Sequence, residues 1–417
     1  MAKYFMIADN LYDITQKYPE TLPFFLANGF SNLGDENMRA LFGKAISLEN
    51  ALLSKNLSIE FFVEQLEDII EQKDISYTSG LTESKNKKGG DISIQGVLPC
   101  PIRVPLVEKF SGWLLENQGK LPCTADYDLK PASMGVSWIK EDILDNSLDE
   151  EERLADLFMS AGFELFFDVK FMKKYREKGI FANTTGISKL NKNFDNEEID
   201  LKDPAGHYAV IGVVPAVFMI NEKELGERKA PQSWQDILKP EFEKSLSLPL
   251  QDLDMFDTIL LNMQKNYGEE GVRQLGRALY GSMHPAEMLK SHTKRGIERK
   301  PAVMIMPYFF AMTAPPGGPY KLIWPADGAI ISPIYLLSKK SSAHKTQPFV
   351  DFLFSKEVGE VFAKQGLFPS THPEVDNGLG ERPKFMWLGW DYINKNDIGA
   401  LIKKAKELFY TVEKEMN

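Results

Sequence analysis

The chain has 417 residues, a net charge of −10, and 43% apolar and 26% charged residues, the balance of an ordinary folded protein. That length holds two or three domains, no apolar run approaches the about 20 residues that span a bilayer, and the acidity disfavours non-specific nucleic-acid binding. Two cysteines, Cys100 and Cys123, are too few for a disulfide framework.

The first ten residues lack the apolar core and small-residue cleavage site of a secretory signal, so the expected location is cytoplasmic. Residues 1–72 read as a small all-helical domain. A helix from Asp13 stops near Pro19, a second covers 20–28 and ends at Gly29, and a third covers 37–45. A fourth, over 58–70, starts at Ser58 and carries Phe61, Phe62, Leu66 and Ile69 at helical spacing. Residues 73–90, rich in Ser, Thr, Gly, Lys and Asn, are a linker.

From Asp91 strands alternate with helices: strand 92–98, helix 104–117 after Pro101, strand 121–127, helix 151–161 and strand 164–167. That alternation predicts parallel strands joined by crossovers. The long apolar run at 208–221 is broken by Pro215, which predicts two strand pieces crossing between lobes, and 325–338 predicts the return. Two crossings form a hinge able to close a cleft. Between them come a helix at 234–238, a strand at 246–250, a polar loop and a helix at 254–266. A polar loop at a helix N-terminus is suited to receiving a small ligand, because free N–H groups point outward there.

Ligands of open α/β sheets lie beyond the carboxyl ends of the strands. This places Cys100 and Pro101, after the first strand, at a helix start where a thiol becomes more acidic, as a nucleophile or soft-metal ligand or simply as small packing residues. Cys123 lies at the far edge, across a helix of about 14 residues and so about 21 Å, which argues against a disulfide or shared metal. Asp168 ends the strand at 164–167, either at the cleft rim or as N-cap of a helix over 170–178. Gln251, Asp252, Asp254 and Met255 lie on the polar loop, where one aspartate caps the helix and the others face the ligand. Tyr308 follows the strand at 303–306, and Asp327 sits at the hinge, holding either backbone or ligand. The five histidines show no metal-binding spacing, and neither a phosphate-binding glycine loop nor a Gly-x-Ser-x-Gly elbow occurs. The aromatic stretch 385–392 packs on the first lobe or lines the cleft.

Several words of the sequence carry a resemblance. Leu165-Phe-Phe-Asp168, Val214-Pro-Ala-Val-Phe-Met-Ile-Asn221, Trp234-Gln-Asp-Ile-Leu-Lys-Pro-Glu-Phe242, Ala302-Val-Met-Ile-Met-Pro307, Pro325-Ala-Asp-Gly328 and the helix over 343–354 occur in the order found in ABC-importer solute-binding proteins. Residues 91–417 thus resemble the type 2 periplasmic-binding-protein fold, near the iron, polyamine and aminoethylphosphonate binders. The resemblance implies a two-lobed α/β domain, with lobe 1 at 91–212 and 328–417 and lobe 2 at 213–327. It further implies a small-molecule or ion ligand and an ABC permease as partner. The iron binders carry paired tyrosines where Tyr308 is here followed by Phe309 and Phe310. The polyamine binders use acidic and aromatic cages, for which Asp168, Asp252, Asp327 and Trp324 are available. Residues 1–72 resemble the N-terminal helical domain of iron–sulfur cluster repair di-iron proteins, through Ile14-Thr-Gln-Lys-Tyr-Pro-Glu, Ala27-Asn-Gly-Phe30 and Ile46-Ser-Leu-Glu-Asn-Ala-Leu. Ser31 replaces the cysteine many of those relatives carry, leaving docking to a cytoplasmic client, or a passive appended domain, as the implied readings. The expected protein is a monomeric binder without cofactor or catalysis; the other reading is a cytoplasmic sensor or enzyme using Cys100.

Overall fold

The computed structural model describes residues 3–27, 30–33, 36–55, 59, 62–63, 66–67, 70, 90–132, 135–144, 151–196, 198–250, 253–282, 300–314, 317–380 and 383–416. Most of the helix expected at 58–70, and the linker up to residue 89, lie outside them. The N-terminal unit holds helices α1 (Leu11–Lys17), α2 (Leu22–Ala27), α3 (Glu36–Ala45) and α4 (Leu48–Ser54). Asn10 and Ser47 cap α1 and α4 by accepting from the N–H groups of Asp13 and Asn50. Leu11, Ile14, Phe25, Leu48, Leu52 and Phe62 make its core.

The remaining chain builds one mixed sheet. Its strands are β1 (Ile92–Leu98), β2 (Ala125–Pro131), β3 (Leu157–Ala161), β4 (Phe181–Ala182), β5 (Ala209–Asn221), β6 (Leu246–Leu248), β7 (Leu279–Ser282), β8 (Val303–Pro307), β9 (Tyr320–Ile323), β10 (Ala329–Lys339) and β11 (Phe385–Met386). The order β2-β1-β3-β10-β5-β8-β6-β7 gives two lobes, β2, β1 and β3 in the first and β8, β6 and β7 in the second. Antiparallel β5 and β10 run through both, every residue buried.

Pro215 does not break the first crossing: β5 is one strand of 13 residues. Val213 turns its N–H out of the β5–β10 ladder, to the Pro369 carbonyl at 3.0 Å. Pro215, two residues on, faces the same way, and so does Pro333 opposite Val213. Pairing with β8 begins at Ala216, and pairing of β10 with β3 begins at Ile334. Each proline therefore sits one residue before a flanking strand starts, where an N–H has no ladder partner to lose.

Three further expectations are corrected. The second strand starts at Ala125 and not at residue 121. Residues 157–161 form a strand and not the end of a helix, because Leu157–Ala161 is wholly buried between β1 and β10. Residues 163–167 form one turn of helix, α7 (Phe163–Phe167), and not a strand. Gly162, at φ 114, ends β3, and helical spacing stacks Phe163 on Phe167 at 5.9 Å between centroids. The aromatic stretch near the C-terminus packs as core: Trp387, Leu388 and Trp390 are buried with Phe163, Phe167 and Tyr335.

This first-lobe core contains a buried ion pair. Arg176 Nη2 meets Asp203 Oδ1 at 2.7 Å, and Asp203 Oδ2 accepts from the N–H groups of His207 and Tyr208 at 3.0 and 3.1 Å. The guanidinium also donates to Asn394 at 2.8 Å and lies over the rings of Tyr208 and Trp390. Asp203→Ala leaves that cation buried and unpaired, and urea unfolding should show a loss of about 3–5 kcal/mol; a loss below about 1 kcal/mol would mean the pair is merely tolerated.

Candidate functional site

Where β1 ends, Pro99 leads into helix α5 (Cys100–Glu116), which begins earlier than the sequence suggests and takes Cys100 and Pro101 into its first turn. The Cys100 side chain lies outside the described residues. Arg103 Nε donates to the Leu129 carbonyl at 2.7 Å, tying this turn to β2. Ile102 is fully buried, so tightly under Gly366 that a Cβ there would lie 2.2 Å from Ile102 Cγ2. The start of α5 is thus fixed from both sides.

From the second lobe, β6 leads to helix α9 (Leu253–Ala278), two helical segments joined at Gly268 (φ 68). Its first turn reaches the first lobe. A Cβ on Gly162, at the end of β3, would lie 2.3 Å from Asp254 Oδ1, so glycine is required for this approach. A second contact comes from α10 (Tyr308–Ala311), after β8: Phe309 meets Phe368 edge-to-face at 5.1 Å. Phe368 packs in the cluster that includes Ile102. The carboxyl ends of β1, β3 and β8 and the first turn of α9 therefore line the cleft between the lobes, which meet there at Gly162–Asp254 and Phe309–Phe368.

The expected site residues divide. Asp254 faces Gly162 across the cleft, while Met255, 1% exposed, is taken up in core packing. Gln251 and Asp252 lie outside the described residues. Tyr308 is half-buried, its ring 5.5 Å from Trp324, whose Nε1 donates to the Lys384 carbonyl at 2.7 Å. Burial raises the Tyr308 pKa, which keeps the phenol protonated and a donor. Asp168 does not end a strand. It follows α7, accepts from the Lys170 N–H at 2.7 Å, and packs where a Cβ on Gly399 would be 2.2 Å from its Oδ2.

Asp327 holds structure at the hinge: its carboxylate accepts from the Trp234 N–H at 2.9 and 3.2 Å and from the Tyr267 hydroxyl at 3.2 Å. That fixes the start of helix α8 (Trp234–Ile237). Burial raises the Asp327 pKa and pushes the Tyr267 hydroxyl up to about 12. Among the described residues no group of three His, Cys, Asp or Glu side chains could hold a metal ion. Nor does any described helix have the length and apolarity to cross a membrane.

Sequence reading missed Gly162 and Phe309, each of which meets the opposite lobe. The signal for Gly162 was a glycine directly after a buried apolar run, obscured by the helix assigned there.

The chain matches the bacterial extracellular solute-binding protein family over residues 152–396, and a domain of unknown function, DUF1858, over residues 8–63. No curated protein matches the chain. Solved structures share the fold of the two-lobed part. The periplasmic binding protein P5PA (16% identity, TM-score 0.54) covers 76% of this chain and 99% of its own. The ferric binding protein from Campylobacter jejuni (16%, 0.54) covers 77% and 99%. The periplasmic binding protein AfuA from Actinobacillus pleuropneumoniae, with fructose-6-phosphate bound (17%, 0.52), covers 77% and 96%.

One turn after Asp254, Asp257 is almost wholly buried, with Lys406 Nζ at 2.6 Å from Oδ1 and with Glu164 and Lys140 as further charges. Burial first, and Glu164 next, push its pKa up to about 6 against the pull of Lys406 and Lys140. The folded protein then holds this proton more tightly than the unfolded chain, where Asp titrates at about 3.9. Its stabilising contribution is present below about pH 4 and is lost as the pH rises through about 6. Asp257→Asn, neutral throughout, should gain on the parent across that window, as a Tm difference that grows from about pH 4 to about pH 7. Parallel curves would show that burial does not set the charge of Asp257.

Proposed function

Because the chain belongs to the bacterial extracellular solute-binding protein family, we propose that it closes its two lobes on a small polar ligand and hands that ligand to an ABC permease. Proteins of this family bind small solutes and work with such a permease. The observation that carries the reading for this chain is the cleft itself: two antiparallel strands cross between the lobes, and Asp254 of one lobe reaches Gly162 of the other. Closing such a cleft removes the ligand from water while both lobes satisfy its polar groups.

Two side chains narrow the ligand. Tyr308 offers a hydroxyl held in its protonated form, and Asp254, also on lobe 2, offers a carboxylate where it meets Gly162. A ligand with an acceptor for the first and a donor for the second fits both. The tyrosine that would extend Tyr308 to a pair of phenolates is Phe309, and it is turned to Phe368. That disfavours ferric ion, the ligand named for the Campylobacter jejuni neighbour, and supports an organic solute such as the sugar phosphate bound to AfuA. The reading needs no covalent step, so Cys100→Ser should leave binding unchanged.

Native mass spectrometry of the purified full chain, followed by thermal-shift titration with sugar phosphates, polyamines and ferric citrate, tests the proposal. We expect one organic class to raise Tm and Tyr308→Ala or Asp254→Ala to weaken its apparent affinity at least about tenfold, the effect of removing one buried hydrogen bond to a charged or polar partner. Saturable binding of ferric citrate alone would overturn the organic-ligand reading. Absence of any bound mass or shift would overturn the receptor reading.

A further inference from the structure

The C-terminal helix α12 (Ile398–Met416) is shared between the lobes. Its first two turns belong to lobe 1. Ile398 and Ile402 are buried in the cluster of Phe163, Phe167 and Trp390, and Gly399 closes on Asp168 too tightly for any side chain. Its next turns belong to α9 of lobe 2. Ala405 and Phe409 are buried there, the Phe409 ring 5.1 Å from Phe256, and a Cβ on Gly276 would lie 2.9 Å from the Phe409 carbonyl. Two ion pairs bind the same stretch to the two segments of α9: Lys406 to Asp257 and Lys404 to Glu269, both at 2.6 Å. The helix thus meets α9 on both sides of Gly268.

We propose that α12 is a clamp that sets the angle between the lobes and holds the cleft narrow before any ligand arrives. Hinge bending at β5 and β10 would carry α7 away from α9, parting Gly162 from Asp254 and drawing Leu261 of α9 out of the lobe 1 cluster in which it is buried. With α12 packed on both, that motion must shear Phe409 out of its site on α9 or Ile402 out of the aromatic cluster of lobe 1. Interlocked side chains resist such sliding, because packed interfaces hold discrete arrangements and do not deform smoothly. The clamp regulates the cleft assigned above as a ligand site, and to that extent it rests on that assignment; the contacts that form it do not.

The test is the distance between lobes in the ligand-free full chain. Spin labels at Lys120→Cys in lobe 1 and Glu241→Cys in lobe 2, with Cys100→Ser and Cys123→Ser to remove the native thiols, report it by double electron–electron resonance. The parent should give one narrow distribution. Phe409→Ala should add a second population at a different distance, as should Ile402→Ala, which cuts the clamp on its other side. Lys403→Ala, at an exposed position of the same helix, should leave the parent distribution. Should Phe409→Ala fail to fold by circular dichroism, Lys406→Met keeps the bulk, removes the tie to Asp257, and decides on the same reading. Distributions identical to the parent in the folded variants would overturn the clamp and make α12 a passive part of one lobe. Because no ligand is present, a protein that binds no solute would still show the shift, and ligand binding with unmoved distances would sink the clamp alone.

Discussion

The antiparallel pairing of β5 with β10 is the constraint on which the rest of this protein depends. These two strands supply an edge to each half of the sheet, so the lobes share a backbone ladder and yet have separate strands beyond it. Pro215 and Pro333 mark where each strand leaves one lobe and enters the other. With no N–H at those points, neither lobe can extend its own ladder into the seam, which keeps the join two strands wide. A join of that width bends more readily than a full sheet, while the ladder preserves its register. The bulge between Ile334 and Tyr335 lies on the lobe 1 side of the same seam and adds local twist.

Around that pairing the two lobes are stiffened differently. Lobe 1 relies on aromatic rings: Phe166, Phe167, Tyr208, Tyr335 and Trp390 meet edge-to-face at centroid distances between 5.0 and 6.4 Å. Arg176 closes the group from above with its partner Asp203. The cluster fixes α7, and through α7 the position of Gly162. Lobe 2 is organised by α9, whose first segment carries Asp254 and whose Tyr267 reaches the hinge carboxylate of Asp327. One hinge residue thereby positions α8 and α9 together, which accounts for the half-buried carboxylate of Asp327.

The architecture is readable in the sequence because its signals are repeated. Long apolar runs at 208–221 and 325–338, alternating strands and helices, and family words in order all point the same way. The cleft was less readable, for local reasons. The run Phe163-Glu-Leu-Phe-Phe167 has strand-forming composition, and only the positive φ of Gly162, which places Phe163 and Phe167 one above the other, makes it a helical turn. That shift of one element moved the predicted rim from Gly162 to Asp168. Asp327 and Met255 were chosen for their place on loops, but the partners that occupy them come from residues 234 and 267 and from the distant core, separations that periodicity does not encode. Tyr308 was chosen because a strand end in an α/β sheet is a position that topology alone selects, and it does follow β8.

A receptor of this kind gains affinity only from the difference between what a ligand finds in the closed and in the open cleft. When little closed form exists without ligand, part of the binding free energy is used to bring the lobes together, and the apparent affinity falls by the closed fraction. Contacts that join the lobes without ligand reverse that loss. Phe309 against Phe368 and Asp254 against Gly162 do so inside the cleft, where a ligand competes for the same surface. The packing of α12 on α7 and α9 does so outside it, where no ligand intrudes. Cleft contacts can therefore set which solute fits, while α12 sets how much of the protein is ready to hold it.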